Sequence, residues 1–241
     1  MLTRVTISGA DDAVEPRELL ALTKAYPFVE WGVLYSVSRQ GTPRHPSEHW
    51  RAEFGDLRCD ALEDVPLAIH MCGEAARATL AGHGRYCCLP TGCRVQLNGY
   101  TTRNCEPDAL RGMAERLEFT AFILQCRALA DLESAADDAG AIGERGAVLF
   151  DVSGGTGLAP ARWPTVPTGC RLGYAGGITP ENVAGVLAEL YRINEPRVDW
   201  WIDMESGVRT DDKFDVAKVE RVLDAAAPFL GVTPAASAST G

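Results

Sequence analysis

Apolar, often β-branched runs recur along the chain, each followed by a glycine-rich or polar turn and then a stretch rich in Ala, Leu, Glu and Arg. Such runs begin near Arg4, Val29, Pro66, Cys93, Thr120, Gly146, Cys170 and Val198, at separations of 25, 37, 27, 27, 26, 24 and 28 residues. Each interval has room for one strand, one helix and two short loops, so the pattern predicts eight βα units. Glu15-Pro16-Arg17-Glu18 reads as a helix start, as does Thr179-Pro180-Glu181-Asn182, where a capping Thr precedes a Pro. The last helix is expected from Asp211-Asp212-Lys213-Phe214 onward, with Phe214, Val216, Val219, Val222 and Leu223 on one apolar stripe. Together these units imply an α/β protein, a single (β/α)8 TIM barrel over residues 1–230. An open doubly wound sheet is the alternative, and eight evenly spaced strands favour closure. The small-residue tail, 231–241, reads as disordered.

Composition narrows the partners. The chain of 241 residues carries 23 Lys plus Arg against 33 Asp plus Glu, a net charge of −10, which opposes a broad nucleic-acid contact. One pocket can still take a small anion through backbone N–H groups and a single Arg. No apolar run approaches the roughly 18 residues of a membrane span, and the first eight residues are too short for a signal peptide, so a cytoplasmic protein is expected. Eight cysteines are too few for a disulfide scaffold. The densest group, Cys87, Cys88, Cys93 and Cys105 with His83 upstream, lacks a Cys-x-x-Cys knuckle and reads as packed thiols rather than a zinc site. No metal or other cofactor is expected. Trp50, Trp163, Trp200 and Trp201 read as packing residues, and the oligomeric state stays open between monomer and homodimer.

In a barrel the informative positions are the C-terminal ends of the strands. Those junctions present Ser8, Tyr35, His70, Asn98, Gln125, Asp151, Gly176 with Gly177, and Asp203 to Gly207, and the wide second interval adds a polar loop from Ser36 to Pro46. Gly176 and Gly177 precede a helix N-terminus and Ser206-Gly207 follow the next strand, a pairing that suits a phosphate between the seventh and eighth loops. Tight turns alone would also use those glycines.

Taken in order, Thr42-Pro-Arg44, Val95-Gln-Leu-Asn-Gly99, Gly154-Gly-Thr-Gly157, Ala175-Gly-Gly-Ile-Thr-Pro-Glu-Asn-Val183 and Ile202-Asp-Met-Glu-Ser-Gly-Val208 resemble phosphoribosylanthranilate isomerase, the tryptophan-pathway barrel of the ribulose-phosphate-binding type that performs an Amadori rearrangement. The resemblance spans roughly residues 4 to 225. It implies that Gly176, Gly177, Ser206 and Gly207 hold a substrate phosphate. It further implies that Arg44 meets a carboxylate, that Asp203 contacts a sugar hydroxyl, that Gln96 helps bind substrate, and that Asp151 is the general acid. The alternative for Asp151 is a loop-ordering or helix-capping carboxylate.

Several residues depart from the family pattern. Ser8, in Thr6-Ile-Ser-Gly9, stands where the family has its catalytic Cys, and a hydroxyl cannot take the C2 proton without another base. Glu205 replaces the first Ser of the Ser-Ser-Gly motif, a carboxylate beside a phosphate site that Arg209 could neutralise, and Asn98 replaces a His. The alternation along Leu67-Ala-Ile-His-Met-Cys72 turns His70 inward, as either a replacement base or a hydrogen-bonded structural His. Three functions follow: an Amadori-type isomerase, a related phosphosugar isomerase, epimerase or lyase acting on another substrate, or a barrel that binds a phosphorylated ligand without reaction.

Overall fold

The computed structural model describes residues 1–61, 64–84, 90, 92–117, 119 and 121–232; Cys87, Cys88 and the tail from 233 lie outside the described residues. Eight strands, β1 (Leu2–Ser8), β2 (Val29–Tyr35), β3 (Leu67–Met71), β4 (Arg94–Leu97), β5 (Ala121–Cys126), β6 (Gly146–Asp151), β7 (Leu172–Ala175) and β8 (Trp200–Met204), pair in parallel in chain order. β8 pairs back onto β1 to close the barrel, with Thr6 opposite Asp203. Every strand begins within two residues of the position its apolar run predicts, because only runs buried on both faces carry that signature.

Seven α-helices are present among the described residues: α1 (Pro16–Ala25), α2 (Glu48–Asp60), α3 (Gly73–Leu80), α4 (Pro107–Leu117), α5 (Leu132–Ile142), α6 (Val183–Ile193) and α7 (Val216–Ala226). The expected eighth is missing between β6 and β7. Residues 152–171 hold Pro160, Pro164 and Pro167 together with four glycines, and this composition removes backbone donors and favours turns over a helix. The last helix also starts later than expected. Asp211 and Asp212, with φ of 49° and 56°, form the two-residue turn of a small hairpin, β9 (Arg209–Thr210) and β10 (Lys213–Phe214), and Asp215 caps α7 by accepting from Lys218 N–H. Two central residues with positive φ match the twist of a tight hairpin, and Asp tolerates that region better than most residues. Beyond α7, Gly231 and Val232 remain attached, with Val232 N–H bonded to the Ala227 carbonyl and its side chain packed on the core.

The main core lies between the sheet and its helices, where Trp31, Trp200, Tyr174, Phe122 and Phe150 are fully buried. The barrel interior divides in two. On one side Ile123, Ala147, Leu149, Ala175 and Trp201 form an apolar cluster. On the other, the fully buried Glu30 carboxylate accepts from Arg4 Nη1 at 2.8 Å, from Thr6 Oγ1 at 2.8 Å, and from the Arg94 guanidinium, which also lies 4.3 Å over the Trp201 ring. Burial alone would raise Glu30; the Arg94 charge outweighs it and brings the group down to about 2. No helix among the described residues is long and apolar enough to cross a membrane.

Candidate active site

A cavity of about 740 Å³ opens at the C-terminal ends of the strands, within the size range of small-molecule sites. Arg44, His70, Gln96, Asp151, Gly176, Gly177, Asp203, Ser206 and Gly207 all line it, and Ser8 lies beneath it, buried against Asp203.

The floor is polar. Ser8 Oγ donates to Asp203 Oδ1 at 2.9 Å, and the other oxygen, Asp203 Oδ2, lies 3.6 Å from His70 Nε2. That separation exceeds a hydrogen bond, and both atoms are buried without a partner. Gln96 Nε2 meets His70 Nδ1 at 3.2 Å and donates to Asn98 Oδ1 at 3.1 Å. An amide nitrogen only donates, so Nδ1 is the acceptor and the neutral ring carries its proton on Nε2, aimed at Asp203. Burial pushes His70 down to about 4, and the same desolvation, reinforced by the charge of Asp151, lifts Asp203 well above the ordinary carboxylate range.

Asp151 is richly hydrogen-bonded. Its Oδ1 accepts from Ser153 N–H at 3.0 Å, Ser153 Oγ at 2.7 Å and Gly154 N–H at 3.1 Å, and its Oδ2 accepts from Gln125 Nε2 at 2.8 Å. Asp151 thus orders the loop behind it while facing the cavity.

The loops after β6, β7 and β8 pack as one body. A Cβ on Gly207 would lie 2.0 Å from the Ile178 carbonyl oxygen, and one on Gly177 would lie 2.6 to 2.7 Å from Ala159. Only glycine permits these approaches. A third close approach lies deeper, on β2, where a Cβ on Gly32 would lie 2.1 Å from Ser8 Oγ and 3.0 Å from His70 Cε1. Gly32 makes the room in which Ser8, His70 and Asp203 meet. The sequence marks it only as a glycine inside a strand, a signal of close approach that says nothing of what approaches.

Arg44 crosses the mouth. Its backbone is left-handed, with φ of 74°, and its N–H donates to Asp11 Oδ2 at 2.7 Å. Its guanidinium reaches Glu205 Oε1 at 2.7 Å, Ser206 Oγ at 3.1 Å, the Gly155 carbonyl at 3.2 Å and Asp212 Oδ1 at 2.9 Å. Glu205 is thus neutralised by Arg44 and not by Arg209, which instead pairs with Asp11 at 2.7 Å and with Asp212 at 3.3 Å.

Charge in the cavity is segregated by strand. All four arginines of the lining, Arg39, Arg44, Arg77 and Arg127, come from the loops and helices after β2, β3 and β5; all three acids, Asp151, Asp203 and Glu205, come from β6 and β8. Arg39, Arg77 and Arg127 are exposed, and their side chains have no ion pair among the described residues, so a chain of net charge −10 presents a cationic wall at this mouth. Of these four only Arg44 stands out in the sequence, because scattered exposed arginines carry no pattern until the fold gathers them.

Of the described cysteines, Cys72 alone lines the cavity. Burial pushes Cys93 up to about 11 and Cys105 up to about 12, and Cys72, at the cavity edge, accepts from Asn98 Nδ2 at 3.2 Å. Among the described residues no three His, Cys, Asp or Glu side chains are grouped to hold a metal ion.

No family model and no curated protein matches this chain. Among solved structures it is similar to N-(5'-phosphoribosyl)anthranilate isomerase from Pyrococcus furiosus, with a TM-score of 0.54 and 16% identity over 93% of this chain and 98% of that one. At that identity the likeness establishes the fold: this chain is a TIM barrel of the same type along nearly its whole length.

Proposed function

We propose that the protein is an isomerase of the phosphoribosylanthranilate isomerase type, acting on a small phosphorylated aminosugar at this cavity. The observation that carries the reading is the pair Asp151 and Asp203, two carboxyls facing one cavity in unlike surroundings: Asp151 accepts four hydrogen bonds, whereas Asp203 accepts from Ser8 alone and is lifted above the ordinary carboxylate range by burial. The glycine loops after β6, β7 and β8 with Ser206 suit the phosphate, and the arginine wall suits a second acidic group of the substrate.

The chemistry needs one group to give a proton and another to take one. In this reading Asp203 gives its proton to the ring oxygen, the C1–O bond breaks, and an iminium forms at C1. Asp151 takes the proton from C2, and the freed electron pair closes the C1–C2 double bond of an enaminol. Ketonisation returns the proton from Asp151 to C1, while the 2-hydroxyl gives its proton back to Asp203. Atoms balance and the product is an isomer. These roles move the general acid from Asp151, where the resemblance puts it, to Asp203, the carboxyl that burial lifts toward its protonated form. His70, neutral, lies beside that carboxyl at 3.6 Å, beyond hydrogen-bond distance, and takes no proton in these steps.

The test is turnover of freshly generated phosphoribosylanthranilate, followed by loss of anthranilate fluorescence, with wild type, Asp151→Asn and Asp203→Asn side by side. Wild type should turn over and each variant should lose at least about 100-fold. An unchanged rate in Asp203→Asn would remove it from the chemistry. One observation favours a second reading, a barrel that binds without reacting: the Ser8 hydroxyl is spent on Asp203, so β1 supplies no base. Its mark is stabilisation by ribose 5-phosphate with no turnover in any protein.

A further inference from the structure

The strongest unexplained feature of the mouth is that its best anion donors are already occupied. Arg44 Nη1 is shared by Glu205 Oε1 at 2.7 Å, Ser206 Oγ at 3.1 Å and the Gly155 carbonyl at 3.2 Å, and Ser206 Oγ donates to the same carbonyl at 2.8 Å. A guanidinium and a hydroxyl, the two side-chain donors a phosphate would want, are both turned onto acceptors of the protein itself.

The arrangement is fixed from behind. The left-handed backbone of Arg44 is held by Asp11, Asp11 is held by Arg209, and Asp212, in the β9–β10 turn, takes Arg44 Nε. The guanidinium therefore points to the β6 and β8 loops, away from the β3 to β5 side of the mouth. Glu205 is not held from behind in the same way: it follows β8 directly, and its side chain keeps some exposure to solvent.

We propose that Glu205 is an internal stand-in for the ligand's anionic group, and that Arg44 with Ser206 forms a gated pocket selective for phosphate monoesters over carboxylates. The proposal rests on the phosphate reading above and adds the rule of selection. A carboxylate ligand arriving at Arg44 offers one charge and two oxygens, the same as Glu205, so displacement gains it nothing. A phosphate monoester at neutral pH carries nearly two charges and three acceptor oxygens. It can satisfy Arg44 and Ser206 together and drive Glu205 into solvent. Arg44 is thereby a phosphate-pocket residue, and whatever acidic group the substrate carries at its other end falls to Arg39, Arg77 and Arg127.

Calorimetric titration with ribose 5-phosphate and with ribonate, its carboxylate counterpart, tests this on wild type, Glu205→Gln, Arg44→Asn and the double variant. Asn tolerates the left-handed backbone at position 44, and thermal unfolding of each protein reports whether it is folded. The expected result is that wild type binds ribose 5-phosphate and not ribonate. Glu205→Gln should then bind the phosphate about tenfold more tightly and acquire ribonate binding, as a competing charged acceptor is removed. Arg44→Asn should lose phosphate binding, and Glu205→Gln should restore none of it in that background. Unchanged phosphate affinity in Glu205→Gln overturns the proposal while leaving the phosphate site standing, and so does an equal gain with Arg44 absent, which would mean simple charge repulsion. If ribose 5-phosphate binds neither wild type nor Glu205→Gln, the phosphate reading itself falls and takes this proposal with it. If Glu205→Gln fails to fold, Glu205→Ala replaces it.

Discussion

Ser8 Oγ donates a 2.9 Å hydrogen bond to Asp203 Oδ1 across the seam where β1 and β8 close the barrel. The hydroxyl that stands where a reactive thiol would be expected acts on Asp203, holding one oxygen so that the other faces His70. In the proposed chemistry Ser8 therefore belongs with Asp203, as a positioning group, and the bond opposes part of the rise that burial imposes on Asp203. Ser8→Ala should lift Asp203 further and move the alkaline limb of activity to higher pH. It should also cost about 1 kcal/mol of stability, readable in urea denaturation. An unmoved pH profile would separate Ser8 from Asp203 in the mechanism.

Asp203 also makes stability depend on pH. A carboxyl raised in the folded state holds a proton that the unfolded chain has released, so its favourable contribution is complete below about pH 4 and is lost as pH rises toward its folded value. Asp203→Asn carries no such proton. The melting temperature of the variant minus that of wild type should therefore be smallest near pH 4 and grow as pH rises toward 7. A difference that shrinks over that range would mean Asp203 is charged in the folded protein.

Glu30 behaves in the opposite sense. Held at about 2 chiefly because Arg94 outweighs its burial, it contributes stability that is present above its unfolded value near 4.5 and lost as pH falls toward 2. Glu30→Gln leaves Arg94 buried against Trp201 without its counter-ion and should cost about 3 kcal/mol or more by chemical denaturation. Glu30→Gln with Arg94→Met should cost less than Glu30→Gln alone, because the stranded charge is gone. A double variant weaker than the single would deny that the penalty lies in the uncompensated arginine.

The strands and barrel closure are legible in the chain because each strand is apolar on both faces and must recur at a helix-plus-strand spacing. The proline-rich stretch from Pro160 to Pro167 shows why the sixth unit escapes that reading: spacing counts residues, and a helix-free connection of the same length fills the same interval. At the site, strand-end residues such as Asp151, His70 and Asp203 can be found by position alone. Their roles cannot, because the contrast between Asp151 with four donors and Asp203 with a lone serine arises from loops and strands distant in sequence. Gly32 and the arginine wall are invisible for the same reason.

Gly32→Ala tests the space beneath the cavity. Its Cβ would meet Ser8 Oγ at 2.1 Å, far inside contact distance, with His70 close by. The serine and imidazole must then shift in a packed interior, at a cost of about 1 to 3 kcal/mol. Binding of ribose 5-phosphate at the loops above should persist while turnover falls. Loss of both together would show that the variant disturbs the whole mouth, and full turnover would show that the floor tolerates the shift.

The cationic wall provides the last test, because it separates local from global electrostatics. A chain of net charge −10 should repel small anions at long range, so any attraction at the mouth must come from nearby arginines and weaken with salt. Arg77, on α3, and Arg127, just after β5, share no partner and line the same cavity, so replacing both by Gln removes two charges while disturbing no ion pair among the described residues. The affinity for a substrate with acidic groups at both ends should fall by about tenfold or more and its salt dependence should flatten. Affinity for inorganic phosphate, which the proposed pocket assigns to Arg44 and Ser206, should change far less. If inorganic phosphate is lost to the same degree, the two walls act as one field and the division of labour between Arg44 and the outer arginines fails. If neither ligand responds, the outer arginines serve only the solvated rim.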